Sequence, residues 1–195
     1  MCGIGINDAD YAITVQVGGK RYFCPLYAAW RSMLRRCYTE DYHNRHPTYA
    51  DCAVCEDWHV FSVFRAWAVS QDWQDKQLDK DILCPGNKVY SAETCVFVTN
   101  SVNNLLSGHA KWSGDEPVGV YHHRDTPRRK PYSTSCFVFG KPTIKRYFAT
   151  SQEASKVYSK TKGDEVTRVA MQQTDIRVRA GLLLHAKLYY RGEVI

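Results

Sequence analysis

The chain of 195 residues has no apolar run approaching the length of about 18 residues at which a membrane-spanning helix is suspected. It also lacks the charged-then-apolar signal that would follow Met1 in a secreted protein. We therefore expect a soluble protein with no membrane partner. Disorder is excluded as well, because 44% of the residues are apolar and the chain contains 13 tyrosines and 5 tryptophans.

The eight cysteines lack the dense arrangement of a secreted disulfide framework, so we expect free thiols in a reducing compartment. Cys52 and Cys55 have the C-x-x-C spacing that supplies half of a structural zinc site. Cys84 and Cys95 are further candidate ligands, but they lack a C-x-x-C partner of their own. Core packing is the default for free cysteine, so we do not expect zinc at Cys52 and Cys55.

Positive charge is concentrated in the second half of the chain. Residues 1–110 contain 10 Lys/Arg against 12 Asp/Glu, whereas residues 111–195 contain 16 against 8. A basic segment beside a near-neutral one is expected when one part of a protein neutralises phosphates. A basic face that only keeps the protein in solution is the alternative that composition leaves open.

The stretch from Leu78 to Leu106 has the pattern of a strand, a turn-rich loop, a second strand and a helix. The two strands are predicted at Leu78–Leu83 and Cys95–Val98, with turn residues at Pro85–Lys88 between them. Residues 98–106 then have apolar positions at helical spacing. This order is the layout of a ββα-metal finger.

The residues of this stretch resemble the HNH endonuclease family. They are most similar to phage-encoded, homing-type proteins in which an HNH-like core precedes an APETALA/ethylene-response-factor DNA-binding domain. The Trp30–Tyr38 run looks like the opening signature of that phage family, and the resemblance extends to about Tyr158. It implies a bacteriophage DNA-binding protein in the cytoplasm of an infected bacterial cell.

The resemblance also implies catalytic positions at Asp79, Lys80 and Asn103. In HNH enzymes the first strand ends in an Asp-His pair, in which Asp holds the metal and His activates water; here the pair is Asp79-Lys80. The last metal ligand falls on Asn103, and the middle Asn of the family name falls on or beside Thr94. Asp79 and Asn103 are thus the implied ligands of Mg²⁺ or Mn²⁺, which one or two protein oxygens can hold on a scissile phosphate.

The usual base is missing from this pattern. Lys80 has a reference pKa of about 10.4 and is a poor base unless it is strongly desolvated or lies beside another cation. His59 and His109 are the candidate substitutes. The alternative is that Asp79, Lys80 and Asp81 form only a solvated strand end.

The segment from Gly119 to Tyr158 predicts three strands followed by a helix with an N-cap at Thr150 or Ser151. Its Gly119-Val-Tyr121 opening and its Phe148–Ala154 close are similar to the plant ethylene-response-factor domain, whose sheet lies in the major groove of DNA. Such a sheet presents alternate side chains to the groove, where Arg reads guanine edges and Lys or Arg binds phosphate. The predicted DNA-binding residues are Arg124, Arg128, Arg129, Lys130, Tyr132, Lys145 and Arg146. Lys141, His122, His123 and Ser133 are further candidates.

The sequence thus predicts an α+β fold. It consists of a ββα-metal (HNH-like) finger with flanking helices in residues 1–110, a three-stranded antiparallel sheet packed on a helix in residues 111–163, and a helical segment in residues 164–195. The last segment is predicted to form one or two helices, at Asp164–Gln173 and Thr174–Tyr190. The predicted function is double-stranded DNA binding, with metal-dependent endonuclease activity or a degenerate form of it. A catalytically inactive DNA-binding regulator and a phage protein that binds a host protein through its aromatic N-terminal half are the alternatives. The oligomeric state does not follow from the sequence.

Overall fold

The computed structural model describes residues 3–106, 116–125, 128–138, 141–142 and 145–193, and the side chains of residues 137–138 and 141–142 are not among the described ones. The chain divides into a unit that ends at Asn103 and a unit that begins at Asn104. Its mixture of helices and small sheets confirms the α+β class. The predicted boundary at residue 110 and the candidate base His109 lie outside the described residues. In the described part of the chain, no helix has the length and apolar character needed to cross a bilayer.

The first unit begins with a hairpin of β1 (Thr14–Val17) and β2 (Lys20–Phe23), which pair antiparallel. The two loop residues, Gly18 and Gly19, both have positive φ, at 57° and 75°. A two-residue hairpin turn of this kind needs positive φ at both central positions, which is the backbone region that glycine adopts without strain. The Gly-Gly pair therefore explains the hairpin.

The core of the first unit is built on α1 (Pro25–Tyr38), which begins with proline in its first turn, where the missing N–H costs nothing. Its apolar positions recur at helical spacing, and Trp30 is fully buried with its Nε1–H donating to the Trp58 carbonyl at 2.7 Å. The same core contains the buried face of α3 (Phe61–Val69). Between them lie α2 (Glu40–Arg45), two short 3-10 turns at Pro47–Tyr49 and Glu56–His59, and β3 (Ala53–Val54).

The predicted strand, loop, strand and helix are observed as β4 (Gln77–Asp79), a loop, β6 (Val96–Val98) and α4 (Asn100–Leu106). The loop contains an additional short strand, β5 (Val89–Tyr90). β4 pairs antiparallel with β6, and β5 pairs in parallel with β3. The first strand is shorter than the predicted Leu78–Leu83. The Asp79 carboxylate accepts hydrogen bonds from the backbone N–H groups of Asp81 and Ile82, so the chain turns there and leaves the ladder.

The second unit contains the predicted three-stranded antiparallel sheet of β7 (Val120–His122), β8 (Tyr132–Thr134) and β11 (Arg146–Phe148), with β8 in the centre. A small antiparallel pair of β9 (Phe137–Val138) and β10 (Lys141–Pro142) interrupts the connection between β8 and β11. The helix α5 (Ser151–Ala170) packs on the sheet, and α6 (Ile176–Arg191) packs on α5. Thr150 and Glu153 form the capping box at the start of α5, which confirms the predicted N-cap.

The prediction of a helix beginning at Asp164 is wrong. α5 starts at Ser151 and continues without a break through Gly163, so the predicted boundary between residues 163 and 164 lies inside one helix. Glycine in a helix interior costs about 1 kcal/mol relative to alanine, which is why Gly163 indicated a break. Close packing of α5 against α6 explains why glycine occupies position 163. A Cβ placed there would lie 2.7 Å from Cε1 of Tyr190 on α6, which is too close for a side chain to fit.

Candidate nucleic-acid interface

The three-stranded sheet of the second unit has one covered face and one open face. Val120 and Thr134, which are paired in register, are buried on the face that α5 covers. The next row consists of Tyr121, Ser133 and Tyr147, and it lies on the opposite side because side chains alternate along a strand. Tyr121 and Tyr147 are each 38% exposed. The open face therefore presents two tyrosines on the outer strands.

His123 follows Tyr121 by two residues and continues the same face. Its ring centroid lies 4.6 Å from that of Tyr121 and 5.5 Å from that of Tyr147. Its Nε2 lies 2.9 Å from the Oγ of Ser133, which is buried beneath the three rings. We call the surface formed by Tyr121, His123 and Tyr147 the tyrosine face.

Two cations lie over the tyrosine face. The Lys145 Nζ is 5.6 Å from the centroid of Tyr121 and 5.7 Å from that of Tyr147, and the Arg128 guanidinium carbon is 5.3 Å from the centroid of Tyr147. Within the described residues, neither cation forms a salt bridge with a carboxylate. Aromatic rings attract cations without neutralising their charge, so both remain available to an anion.

An open concavity of about 530 Å³ lies beside the tyrosine face. It is lined by Arg128, Arg129, Lys130, Tyr147 and Ala149. Arg129 and Lys130 are exposed and belong to the loop that precedes β8. The loop and the sheet together place four cationic side chains at one edge of the open face.

The other predicted DNA-binding residues are placed differently. Arg124 is exposed in the turn after β7. Tyr132 and Arg146 belong to the rows that alternate to the covered side. Tyr132 stacks there on His122 with ring centroids 4.5 Å apart. Arg146 is opposite Thr134 in the strand register, and its side chain is exposed at this edge of the sheet. The sequence prediction thus grouped Lys145 with Arg146, which the alternation of β11 places on opposite faces. The side chain of Lys141 lies outside the described ones.

Sequence reasoning missed Tyr121 and Tyr147 as members of this surface. The alternation of side chains along a strand could have indicated them. Tyr121 and Tyr147 are each the middle residue of a three-residue strand and share a face with the residues two positions away. Finding it required the register between the strands, which brings Tyr121, Ser133 and Tyr147 into one row.

In the first unit, Asp79 is largely used by its own backbone. Its Oδ1 accepts from the N–H groups of Asp81 and Ile82 at 2.8 and 2.7 Å. Burial raises the pKa of Asp79, and these two hydrogen bonds oppose that increase. No group of three His, Cys, Asp or Glu side chains suited to a metal occurs among the described residues. The Asp79 carboxylate thus forms a turn at the end of β4. The second implied ligand, Asn103, lies on α4 and donates its backbone N–H to the Thr99 carbonyl at 2.9 Å.

Lys80 is buried, with 6% of its surface exposed. Its Nζ donates to Asp81 Oδ1 and to the Asn87 carbonyl, both at 2.7 Å, and lies over the rings of Tyr49 and Tyr90 at 5.8 and 5.9 Å. Burial by itself lowers the pKa of Lys80, but the hydrogen bond and charge of Asp81 outweigh it and raise the pKa above its usual value. A protonated ammonium has no lone pair with which to accept a proton from water, so this geometry favours a structural lysine that fixes the loop.

The remaining candidates of the first unit are also engaged in the fold. Thr94 donates to the Val89 carbonyl at 2.7 Å, and the His59 Nε2 lies 3.1 Å from the Tyr38 hydroxyl. Burial raises the pKa of the Cys52 and Cys55 thiols.

Comparison of the chain with models of protein families, with curated proteins and with solved structures gave no match. The sites described above therefore carry the functional argument by themselves.

Proposed function

We propose that this protein binds double-stranded DNA through the tyrosine face of its second unit. The observation that carries the proposal is the pair of Lys145 and Arg128, which lie over exposed tyrosines without a carboxylate partner among the described residues. Holding two long cationic side chains on a sheet surface costs conformational entropy, and an anionic ligand would offset that cost. The basic charge of residues 111–195 agrees with a polyanionic ligand.

Three features favour DNA over a small anion. The sheet presents alternate side chains on an open surface, as a strand ribbon that enters the major groove must do. Arg128, Arg129 and Lys130 extend the cationic surface beyond the strands, toward where a phosphate backbone would pass. The concavity is shallow and open, which suits a polymer rather than an enclosed ligand.

The first unit supports a binding role better than a catalytic one. Asp79 forms a turn, and the protonated Lys80 holds a loop, so neither is arranged to activate water. We infer that a phage-type HNH-like finger serves here as a scaffold, and that cleavage, the reaction its resemblance implies, is absent or slow. The alternative of a host-protein partner relied on the aromatic residues of the N-terminal half. Trp30, Trp58, Phe61 and Phe64 are buried in the core, so among the described residues only the exposed aromatic residues of the N-terminal hairpin region, Tyr11, Tyr22 and Phe23, are accessible to such a partner.

The proposal is tested by fluorescence anisotropy of a labelled duplex titrated with the parent protein and two double variants. Arg128→Ala with Lys145→Ala removes the two cations of the tyrosine face. Lys187→Ala with Arg191→Ala removes the same charge from exposed positions of α6. We expect the first variant to lose about tenfold or more in affinity and the second to bind nearly as the parent does. Equal affinities for all three proteins would refute the proposed surface.

Cleavage is tested separately with supercoiled plasmid in the presence of Mg²⁺ or Mn²⁺. The Asp79→Ala, Asn103→Ala double variant is the control. We expect the plasmid to remain intact with both proteins. Nicking by the parent alone would establish a metal-dependent nuclease and assign Asp79 and Asn103 to its metal.

A further inference from the structure

His123 occupies the centre of the tyrosine face and has an unusual set of neighbours. Its ring lies between Tyr121 and Tyr147, and Ser133 on the central strand holds its Nε2 at 2.9 Å. This hydrogen bond fixes the orientation of the imidazole. In the described part of the structure, Nδ1 of His123 forms no hydrogen bond, so this nitrogen is available to a ligand.

The charged groups around His123 are cationic. Lys145 just before β11, Arg128 of the loop before β8 and His122 of β7 all disfavour a second positive charge at this position. Together with burial, which is the largest effect, they hold the pKa of His123 below its usual value. The carboxylate of Glu116 lies 3.4 Å from Nδ1 of the neighbouring His122, on the covered face. In the free protein, the surroundings of His123 therefore favour the neutral imidazole over the imidazolium.

We propose that His123 contacts a DNA phosphate directly and takes up a proton when DNA binds. This inference rests on the proposed function and adds a named contact and its chemistry to it. A phosphate that pairs with Lys145 and Arg128 would cancel the repulsion that keeps His123 neutral, and its own charge would favour the imidazolium. The proton comes from solvent to the imidazole, and no covalent bond is formed with DNA.

The consequence is a specific pH dependence of affinity. Because the bound state holds a proton that the free state lacks, affinity increases as pH falls through the interval between the free and bound titrations of His123. Uptake of one proton gives a limiting slope of about tenfold in the dissociation constant per pH unit. A surface of lysines and arginines alone would show almost no such slope, because their charge does not change near neutral pH.

The test is the anisotropy titration of a labelled duplex at constant ionic strength between about pH 8 and pH 5.5, where an ordinary histidine titrates. The proteins are the parent, His123→Gln, and His46→Gln as a control at an exposed position of the first unit. We expect the parent and His46→Gln to bind more tightly as pH falls, and His123→Gln to lose most of that slope. Circular dichroism at each pH verifies that the variants are folded.

A second measurement is independent of the variants. The titration of the His123 ring protons, followed by NMR in the free protein and in the saturated complex, should shift to higher pH when DNA is bound. An unchanged titration, or the same pH slope in His123→Gln as in the parent, would overturn the inference while leaving DNA binding intact. Absence of DNA binding by the parent at every pH would overturn the proposed function and this inference with it.

Discussion

Lys162 provides a sharp test of the packing in the second unit. It lies on α5 with only 3% of its surface exposed, and no hydrogen bond to its ammonium group is formed within the described residues. Burial lowers its pKa, and the nearby Cys136 and Glu165 oppose this only in part. Glu165 has its own partner in Arg168, whose Nη2 and Nε donate at 2.6 and 2.9 Å.

Replacing Lys162 by methionine keeps the apolar stem and removes the buried charge. Exchange of a buried ionic group for an apolar one of similar volume is typically neutral or stabilising by about 1–4 kcal/mol. Because the Lys162 ammonium is buried without a hydrogen bond to any group in the described part of the chain, we expect Lys162→Met to stabilise the protein by about 1–2 kcal/mol. For a chain of this size, each 1 kcal/mol raises Tm by about 2–4 °C.

The pH dependence has a definite sign. The folded-state pKa of Lys162 is lowered, whereas the unfolded chain titrates near 10.4. In the window between these values the unfolded state holds a proton that the folded state has lost, so the stability of the parent increases with pH there. Lys162→Met should lack this increase.

The assay is urea unfolding at several pH values, with Lys160→Met as the control. Lys160 is exposed on the same helix and pairs with Asp164 one turn later, so its replacement should leave stability nearly unchanged. A loss of stability in Lys162→Met, or an unaltered dependence on pH, would refute the reasoning and show that the ammonium contributes favourably.

Three further predictions concern local structure. Gly163→Ala gains up to about 1 kcal/mol in helix propensity but introduces a Cβ 2.7 Å from the Tyr190 ring. Thermal unfolding should therefore show a net destabilisation of about 1 kcal/mol, and this destabilisation should vanish in a Tyr190→Ala background. Asp79→Ala leaves two backbone N–H groups without their acceptor and should cost about 1–3 kcal/mol in urea unfolding; an unchanged midpoint would contradict the turn-forming role. Thr150→Ala breaks the capping box and should cost about 1 kcal/mol, and a smaller effect than that of Lys156→Ala at an exposed position of the same helix would contradict the role of the cap.

The elements that the sequence predicted correctly have local causes. Gly18-Gly19 specifies a tight hairpin, the apolar spacing around Trp30 specifies an amphipathic helix, and Thr150 with Glu153 specifies a helix start. Each signal lies within a few residues of the structure that it determines. The order of β4, β6 and α4 was accessible for the same reason.

What the sequence did not reveal depends on contacts between distant residues. Gly163 indicated a helix break because its packing partner, Tyr190, follows it by 27 positions in the chain. Lys80 was treated as exposed or catalytic because neither its burial nor its contact with Tyr49 is visible in local sequence. The tyrosine face depends on strand register, which brings Tyr121 and Tyr147 to either side of Ser133.

The salt dependence of DNA affinity tests the central claim most directly. Four cations border the tyrosine face: Arg128, Arg129, Lys130 and Lys145. The logarithm of the association constant falls with the logarithm of the salt concentration, with a slope of about −0.9 per phosphate contact. If each cation binds one phosphate, the slope for the parent is about −3.6. Raising salt from about 50 to 200 mM should then weaken binding about 150-fold. The Arg128→Ala, Lys145→Ala variant should show a slope of about −1.8 and a loss of about 12-fold, while the Lys187→Ala, Arg191→Ala control keeps the parent's slope. Identical slopes for the parent and the tyrosine-face variant would contradict the account.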